Sequence, residues 1–431
     1  MEAKDIIVPN ESSKNPQQTI EVLRDYTQTQ DENTPIILVN PAHGNEPYIL
    51  GTAIARGVSE RLARQGLGRA RVVVPLMYGD RQKRILLEES GEDAQLIGLD
   101  ERFGQILKDI TFGNGDFHSH LAQIEAHYDN THNLLQQRFS ADSDNFDVRS
   151  LTTGEPRAVS PRNIVATIDT APRVLVDSPL RYFAFPILIS ELIREAQKEG
   201  LGFSDADMAK LINRMLKVES TYSQVFIPWI NPLSYQYVDD LSTQPAVVDG
   251  RSRTYTPAMK KEYQKSHGKI EDPGIYVMFS GTGSTLETTH ALAKAANEAG
   301  LKVYSPPWVD VEGATQVSPD VLSDENVLAV FGRAGWGTGW QVQNLALPWI
   351  VTPYESGDDP EIFFNNKTIE ALKIGKVLSA GDITPEKLVE AINSLSVGTH
   401  ALNDKIREYF GTLNGIDFIA DAITQDFLAK K

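Results

Sequence analysis

Short apolar runs alternate with helical periodicity along most of this chain. Pro35-Ile36-Ile37-Leu38-Val39-Asn40 is a continuous apolar run of strand length. Such runs become buried parallel strands when helices separate them. The loop Pro41–Pro47 follows, then Ile49–Arg64 with the pattern of an amphipathic helix. Gly66 and Gly68 stop it, and Ala70–Leu76 reads as a second strand. A strand–helix–strand unit of this kind closes right-handed. Residues 88–150 read as largely helical and 137–160 as loop-rich. Asn163–Ile168 and Arg173–Asp177 predict strands, Tyr182–Lys198 and Asp205–Val218 predict helices, and Val225–Pro228 predicts a further strand.

A second series opens with the strand Gly274–Ser280 and its loop Gly281-Thr282-Gly283-Ser284. A helix to Ala299 is closed by Gly300, and Lys302–Ser305 returns as a strand. Val327–Phe331 predicts a strand, Gln341–Leu347 a helix and Pro348–Pro353 a strand. Thr384 as N-cap and Pro385 at the first helical position start a helix that runs to about Leu395. The polar residues 1–34 predict one short helix, at Gln18–Tyr26. Residues 240–272 are charge-rich and poor in apolar side chains, as a linker is. These features divide the chain into a polar segment 1–34, an α/β domain 35–255, a linker 256–272, a second α/β domain 273–405 and a helical segment 406–431. That last segment is expected to pack back on the first domain. No internal repeat is visible.

The 431 residues suit two or three domains. The N-terminus lacks the apolar stretch of a signal peptide, and no run is long and apolar enough for a membrane span. The chain has no cysteine, which excludes thiol catalysis, disulfides and zinc–thiolate sites and is compatible with a cytoplasmic setting. A net charge of -17 disfavours nucleic acid and anionic lipid as partners. Arg56, Arg61, Arg64, Arg69 and Arg71 form a dense basic run, either a solvated helix face or a place for peripheral membrane contact.

The most informative chemistry lies after Val327–Phe331, in Gly332-Arg333-Ala334-Gly335-Trp336-Gly337-Thr338-Gly339-Trp340-Gln341. Glycines between a strand and a helix let backbone N–H groups approach a ligand, and the helix N-terminus adds partial positive charge. The place suits a phosphate, with Arg333 as a charge-assisted donor. A tight turn without ligand is the plain alternative. Downstream come Leu347-Pro348-Trp349-Ile350-Val351, the acidic stretch Glu355–Glu361, Asn365 and Ile374-Gly375-Lys376-Val377. This order resembles the donor-binding half of nucleotide-sugar glycosyltransferases of the GT-B type. The likeness is to UDP-glycosyltransferases and to the peptidoglycan N-acetylglucosaminyl transferases. It is good over Pro273–Val377, fair over Ile36–Leu76 and absent over the middle.

The resemblance implies two Rossmann-like domains facing a central cleft, a nucleotide-sugar donor with UDP as the expected nucleotide, and a small-molecule or lipid acceptor. It places donor phosphate at Arg333, Gly335, Trp336, Gly337, Thr338 and Gly339, the ribose at Gln341, and the sugar at Asp359, Glu361 and Asn365. Three positions depart from it. A His is frequent where Arg333 stands, a Glu where Gln341 stands, and a Gln where Ile362 stands. Ser280, Gly281, Thr282 and Gly283 form a second glycine loop without the Lys of a P-loop, and either receive phosphate or simply turn.

At the end of the first predicted strand, His43 has the intrinsic pKa of a general base near neutrality, and Glu46 competes for that role. His118, His120, His127 and His132 with Asp116 fit no standard metal signature, so neither a metal nor a cofactor is expected. Trp229, Tyr235, Tyr237, Trp308, Trp336, Trp340 and Trp349 either line an acceptor cleft or pack the core. The combined expectation is an inverting, metal-independent glycosyltransferase. A non-catalytic sugar-binding protein and a nucleotide-sugar epimerase stand as alternatives.

Overall fold

The computed structural model describes residues 34–110, 116–170, 176, 178–202, 205–239, 270–279, 286–307 and 309–429. The chain divides into two compact units. One comprises residues up to Ile227 together with Ile416–Lys431, the other Pro228–Gly415.

In the first unit, β1 (Ile36–Pro41), α1 (Asn45–Arg64) and β2 (Arg71–Pro75) form the expected parallel unit. Then come α2 (Gly79–Ser90), β3 (Ile97–Asp100), α3 (Glu101–Leu107) and α4 (Phe117–Phe139). The hairpin β4 (Phe146–Ser150) and β5 (Pro156–Val159) precedes β6 (Ile164–Thr170), β7 (Leu180–Ala184), α5 (Ile189–Lys198), α6 (Asp205–Glu219) and β8 (Gln224–Phe226). The described strands form one sheet in the order β5-β4-β3-β2-β1-β6-β7-β8, with β4 antiparallel to its neighbours.

Two expectations are corrected here. Tyr182–Ala184 belongs to a strand rather than a helix. Leu180–Ala184 is buried on both faces, Pro186 interrupts the chain, and the helical spacing of Ile189, Leu192, Ile193 and Ala196 begins only afterwards. The stretch read as helical or loop contains β3, β4 and β5. β4 alternates buried and exposed residues, Phe146 and Val148 inward, as an antiparallel strand with one solvated face does. The predicted strand Arg173–Asp177 lies outside the described residues except for Val176, and the helix Gln18–Tyr26 lies outside them entirely.

In the second unit, β9 (Gly274–Met278), α7 (Leu286–Glu298), β10 (Lys302–Ser305), β11 (Thr315–Gln316), β12 (Val327–Gly332), α8 (Trp336–Asn344), β13 (Trp349–Val351), α9 (Pro360–Ala371), β14 (Gly375–Val377) and α10 (Pro385–Phe410) follow in order. Their sheet is wholly parallel, ordered β11-β10-β9-β12-β13-β14. α10 is capped by Thr384 as expected but runs on to Phe410 rather than Leu395. Its buried stripe Leu388, Ala391, Leu395, Thr399, Leu402 and Ile406 keeps helical spacing through the small polar residues between.

The unit boundary falls at Ile227, earlier than the sequence suggested. Trp229 stacks on Tyr409, with centroids 5.6 Å apart, and the Tyr235 N–H donates to Thr368 Oγ1 at 3.1 Å, so this segment packs on α10 and α9. The last helix, α11 (Gly415–Ala429), packs with the first unit. Ile419, Ala420, Ile423 and Phe427 are buried, the Tyr182 hydroxyl donates to Asp426 at 2.7 Å, and Arg61 pairs with Asp417 and Asp421.

Candidate functional site

Both sheets are doubly wound, and each has a point where the strand order reverses, between β1 and β6 and between β9 and β12. Loops leaving neighbouring parallel strands there splay to opposite faces, so ligands bind outside the carboxyl ends of the strands at these points.

In the second unit β12 ends at Gly332, and Arg333-Ala334-Gly335 turns directly into α8. The helix begins five residues before the predicted start, so Trp336, Gly337, Thr338 and Gly339 form its first turn rather than the loop before it. Burial of Trp336, Trp340 and Val342 against the sheet overrides the poor helix propensity of two glycines. Gly339 is required by packing: a Cβ there would lie 2.8 Å from the Trp349 ring. Gly335 is the N-cap and supplies no side-chain acceptor. The Thr338 and Gly339 N–H groups turn back to Gly335 O at 3.1 and 3.0 Å. The N–H groups of Trp336 and Gly337, at the first two helical positions, have no acceptor in the helix itself. Among the described residues, a Cβ on Gly335 would meet nothing within 4 Å.

Arg333 Nη2 donates to Asp358 Oδ1 at 2.7 Å, a half-buried ion pair that ties this turn to the loop after β13. Asp359 caps α9, accepting from the Glu361 N–H at 2.9 Å. Asn365 is fully buried, and its amide donates to Ala334 O at 2.6 Å and to Glu361 Oε1 at 3.3 Å. The residues predicted to read the sugar are therefore on a helix rather than an acidic loop. Asn365 braces the turn from beneath, Asp359 holds the helix start, and Glu361 stays half-buried at its first turn. Ile362 is buried in the core. Gln341 is half-buried on the second turn of α8. Ser280, Gly281, Thr282 and Gly283 lie outside the described residues, although β9, which leads into them, adjoins β12.

In the first unit the Ala42 N–H donates to Thr170 O at 2.8 Å and the Thr170 hydroxyl to Pro47 O at 2.7 Å, so the end of β6 holds the loop after β1. His43 is exposed in that loop. Gly44 beside it has φ 99°, a left-handed conformation that disfavours a side chain. Its N–H donates to Tyr78 Oη at 2.8 Å, and the same oxygen lies 3.5 Å from His43 Nδ1. Burial pushes the Tyr78 phenol up, with the Gly44 N–H opposing, so the hydroxyl stays protonated near neutrality. Glu46 sits at the start of α1. Behind the loop, Asp169 is fully buried with Arg181 as its ion partner and with Asn40 and Tyr222 hydrogen-bonded to it.

The other candidates resolve as structure. Trp340, Trp349, Trp336 and Trp229 are buried and pack the core rather than line a surface. Tyr235 stacks on Phe364 at 6.4 Å, and Trp308 lies outside the described residues. Asp116 caps α4, which carries the four histidines, with His120 buried. Among the described residues no group of three His, Asp or Glu is placed to share a metal ion, and no helix is long and apolar enough to cross a membrane. Within the arginine run, Arg56 and Arg69 pair with Asp93, Arg61 with Asp417 and Asp421, and Arg64 with Glu60. Sequence reasoning missed Asp358 and Tyr78. Tyr78 was within reach of it, because it follows the second strand at the same sheet edge as His43.

Residues 319–417 match the glycosyltransferase family 28 C-terminal domain. The UDP-N-acetylglucosamine--N-acetylmuramyl-(pentapeptide) pyrophosphoryl-undecaprenol N-acetylglucosamine transferase of Aquifex aeolicus is 25% identical over 165 residues, which cover 35% of this chain and 48% of that enzyme. The match thus spans about half of that relative's length. Arabidopsis thaliana UGT89C1 complexed with UDP superposes with a TM-score of 0.57 at 14% identity, over 91% of this chain and 100% of that one. Phytolacca americana UGT2 complexed with UDP-2fluoro-glucose and pterostilbene gives 0.56 at 10% identity, over 91% and 100%. CalG4, the calicheamicin glycosyltransferase, gives 0.51 at 12% identity, over 92% and 98%. With two doubly wound α/β units, the chain has the GT-B fold, and residues 319–417, almost all of them in its second unit, are similar to the glycosyltransferase family 28 C-terminal domain.

Proposed function

We propose that this protein is a glycosyltransferase that moves a sugar from a UDP-sugar to an acceptor hydroxyl with inversion at the anomeric carbon. The observation that carries the reading is the N-terminus of α8. Among the described residues it is uncapped by any side chain and open above Gly335, and it lies at the reversal point of the sheet with Arg333 beside it. A helix start of this kind binds phosphate through backbone N–H groups and the helix dipole. The relative of known activity uses UDP-N-acetylglucosamine by its name, and two of the structural neighbours were solved with UDP or a UDP-sugar.

In this reading the N–H groups of Trp336 and Gly337 meet the negative charge that develops on the departing diphosphate, and Arg333 adds a charge-assisted donor. Gln341 holds the ribose hydroxyls and Glu361 a sugar hydroxyl, while Asn365 and Asp359 keep the frame in place. His43 takes the proton of the acceptor hydroxyl. The charge on the leaving group is met by these donors, so no step of the reading uses a metal. A second reading, a nucleotide-sugar binding protein without transfer, is favoured by Ile362, which is buried where a polar sugar contact is usual in the resembling enzymes.

A coupled assay over a panel of UDP-sugars and acceptors separates these readings. A transferase releases UDP only when acceptor is present. An epimerase interconverts the sugar without acceptor, and a binder shifts the melting temperature but turns nothing over.

A further inference from the structure

Two ties hold the loop after β13 against the turn before α8. The Thr352 N–H donates to Gly332 O at 3.1 Å where the loop leaves its strand, and Asp358 accepts from Arg333 at 2.7 Å where it returns. Two neighbouring asparagines of α9 fix both segments from beneath, Asn365 through Ala334 O at 2.6 Å and Asn366 through Thr352 O at 3.1 Å. Tyr354 lies between the two ties and is half-buried. Its ring meets Phe363 of α9 edge to face, with centroids 5.6 Å apart at 80°. Gly357, at φ 95°, turns its N–H back onto the Tyr354 hydroxyl oxygen. Burial pushes the phenol up, and the carboxylates of Asp358 and Asp359 add to it, so the hydroxyl keeps its proton near neutrality. That proton meets no acceptor among the described residues.

We propose that Tyr354 is a specificity-determining residue of the donor site, donating its hydroxyl proton to an oxygen of the sugar carried on the diphosphate. The inference rests on the reading of the α8 start as the diphosphate site. Arg333 sits in the turn that enters α8, and its partner Asp358 belongs to the loop of Tyr354, so phenol and turn are held in one frame. The charge around the phenol selects what it meets. Two carboxylates stand near the hydroxyl and disfavour a phosphate there. A neutral donor among them suits a neutral, oxygen-rich group, and the sugar is the part of the donor that fits. Asp359, one of the two, caps α9, whose first turn carries Glu361. The phenol and the proposed sugar contact of Glu361 therefore belong to the same helix start. Ile362 is buried and has no polar group to offer, and Tyr354 supplies from the strand-end loop a contact that this position lacks. A phenol can accept from Gly357 and donate to the ligand at once, since it has two acceptor sites and one proton. A site that hydrogen-bonds a substrate oxygen discriminates against ligands without it.

Calorimetric titration of the native protein and of Tyr354→Phe with UDP, UDP-glucose and UDP-N-acetylglucosamine tests this. Phenylalanine keeps a ring against Phe363 and removes the hydroxyl alone. The variant should bind the UDP-sugar that the native protein prefers about fivefold more weakly, the scale of one ordinary hydrogen bond, and should bind UDP as before. Equal weakening of UDP and UDP-sugar would make Tyr354 a brace of its own loop through Gly357, and overturns the proposal. An unchanged UDP-sugar affinity overturns it too, because the phenol then lies outside the site. So does a native protein that binds UDP but neither UDP-sugar. A native protein that binds no UDP at all is a different failure, since it overturns the donor reading on which the proposal stands.

Discussion

At the carboxyl edge of the first sheet the loop after β1 is held by hydrogen bonds to β6, whereas at the same edge of the second sheet a helix starts with no side-chain cap among the described residues. In the first unit Thr170 ties down both ends of the loop after β1, and Asn40, Arg181 and Tyr222 surround the buried Asp169. What that edge offers is a side chain, His43, on a braced loop. In the second unit the turn after β12 is braced from below by Asn365 and from the side by Asp358, and what it offers is the start of α8. Doubly wound sheets reversed at the same kind of point are thus proposed to support two different reactive surfaces. One suits moving a proton, and the other suits holding an anion whose charge grows during reaction.

The comparison breaks first at His43. General-base assistance supplies about 10²–10⁴-fold, so His43→Ala should lower kcat by that range while UDP affinity stays near native. Steady-state kinetics beside calorimetric titration reads both, and a parallel loss of UDP affinity would abolish the division of labour. Arg333→Ala sharpens the other side. A charge-assisted phosphate contact is worth roughly 1.5–3 kcal/mol, so UDP should bind about ten- to a hundredfold more weakly while uridine is nearly unaffected. Equal losses for both ligands would make Arg333 a strut for the Asp358 loop only. The smallest effect is expected at Asn365. Asn365→Ala strands the buried Ala334 carbonyl and should cost about 1–3 kcal/mol of stability in chemical denaturation, with a weaker loss of UDP affinity than Arg333→Ala. An unchanged denaturation midpoint would remove Asn365 as the brace.

Much of the second unit was legible because its strands are continuous apolar runs ended by Gly, Pro or a capping residue. Lys302–Ser305 and the Thr384-Pro385 helix start are found where those signals place them. What escaped was set by tertiary packing. α8 starts inside the glycines because Trp336 and Trp340 bury against the sheet, a gain that no local propensity announces. Leu180–Ala184 and Tyr182–Lys198 overlap in apolar content, and only burial on both faces shows where strand gives way to helix. The candidate site was legible only as a strand-end loop with glycines and an arginine. Its braces were not, since Arg333–Asp358 and Gly44–Tyr78 join residues 25 and 34 positions apart through turns whose geometry periodicity does not encode.

The account stands most directly on Gly335→Asp. The native residue is an extended N-cap with nothing among the described residues within 4 Å of its Cβ position, so aspartate meets no clash with them and supplies a cap. Aspartate at this position favours the helix by a few tenths to about 1 kcal/mol, so the melting temperature should hold or rise. The same carboxylate would take the N–H groups proposed to hold phosphate and repel it, so UDP affinity in calorimetric titration should fall by at least about a hundredfold. A variant that is as stable as the native protein and binds UDP equally well would show that the N-terminus of α8 is a turn and not the donor site.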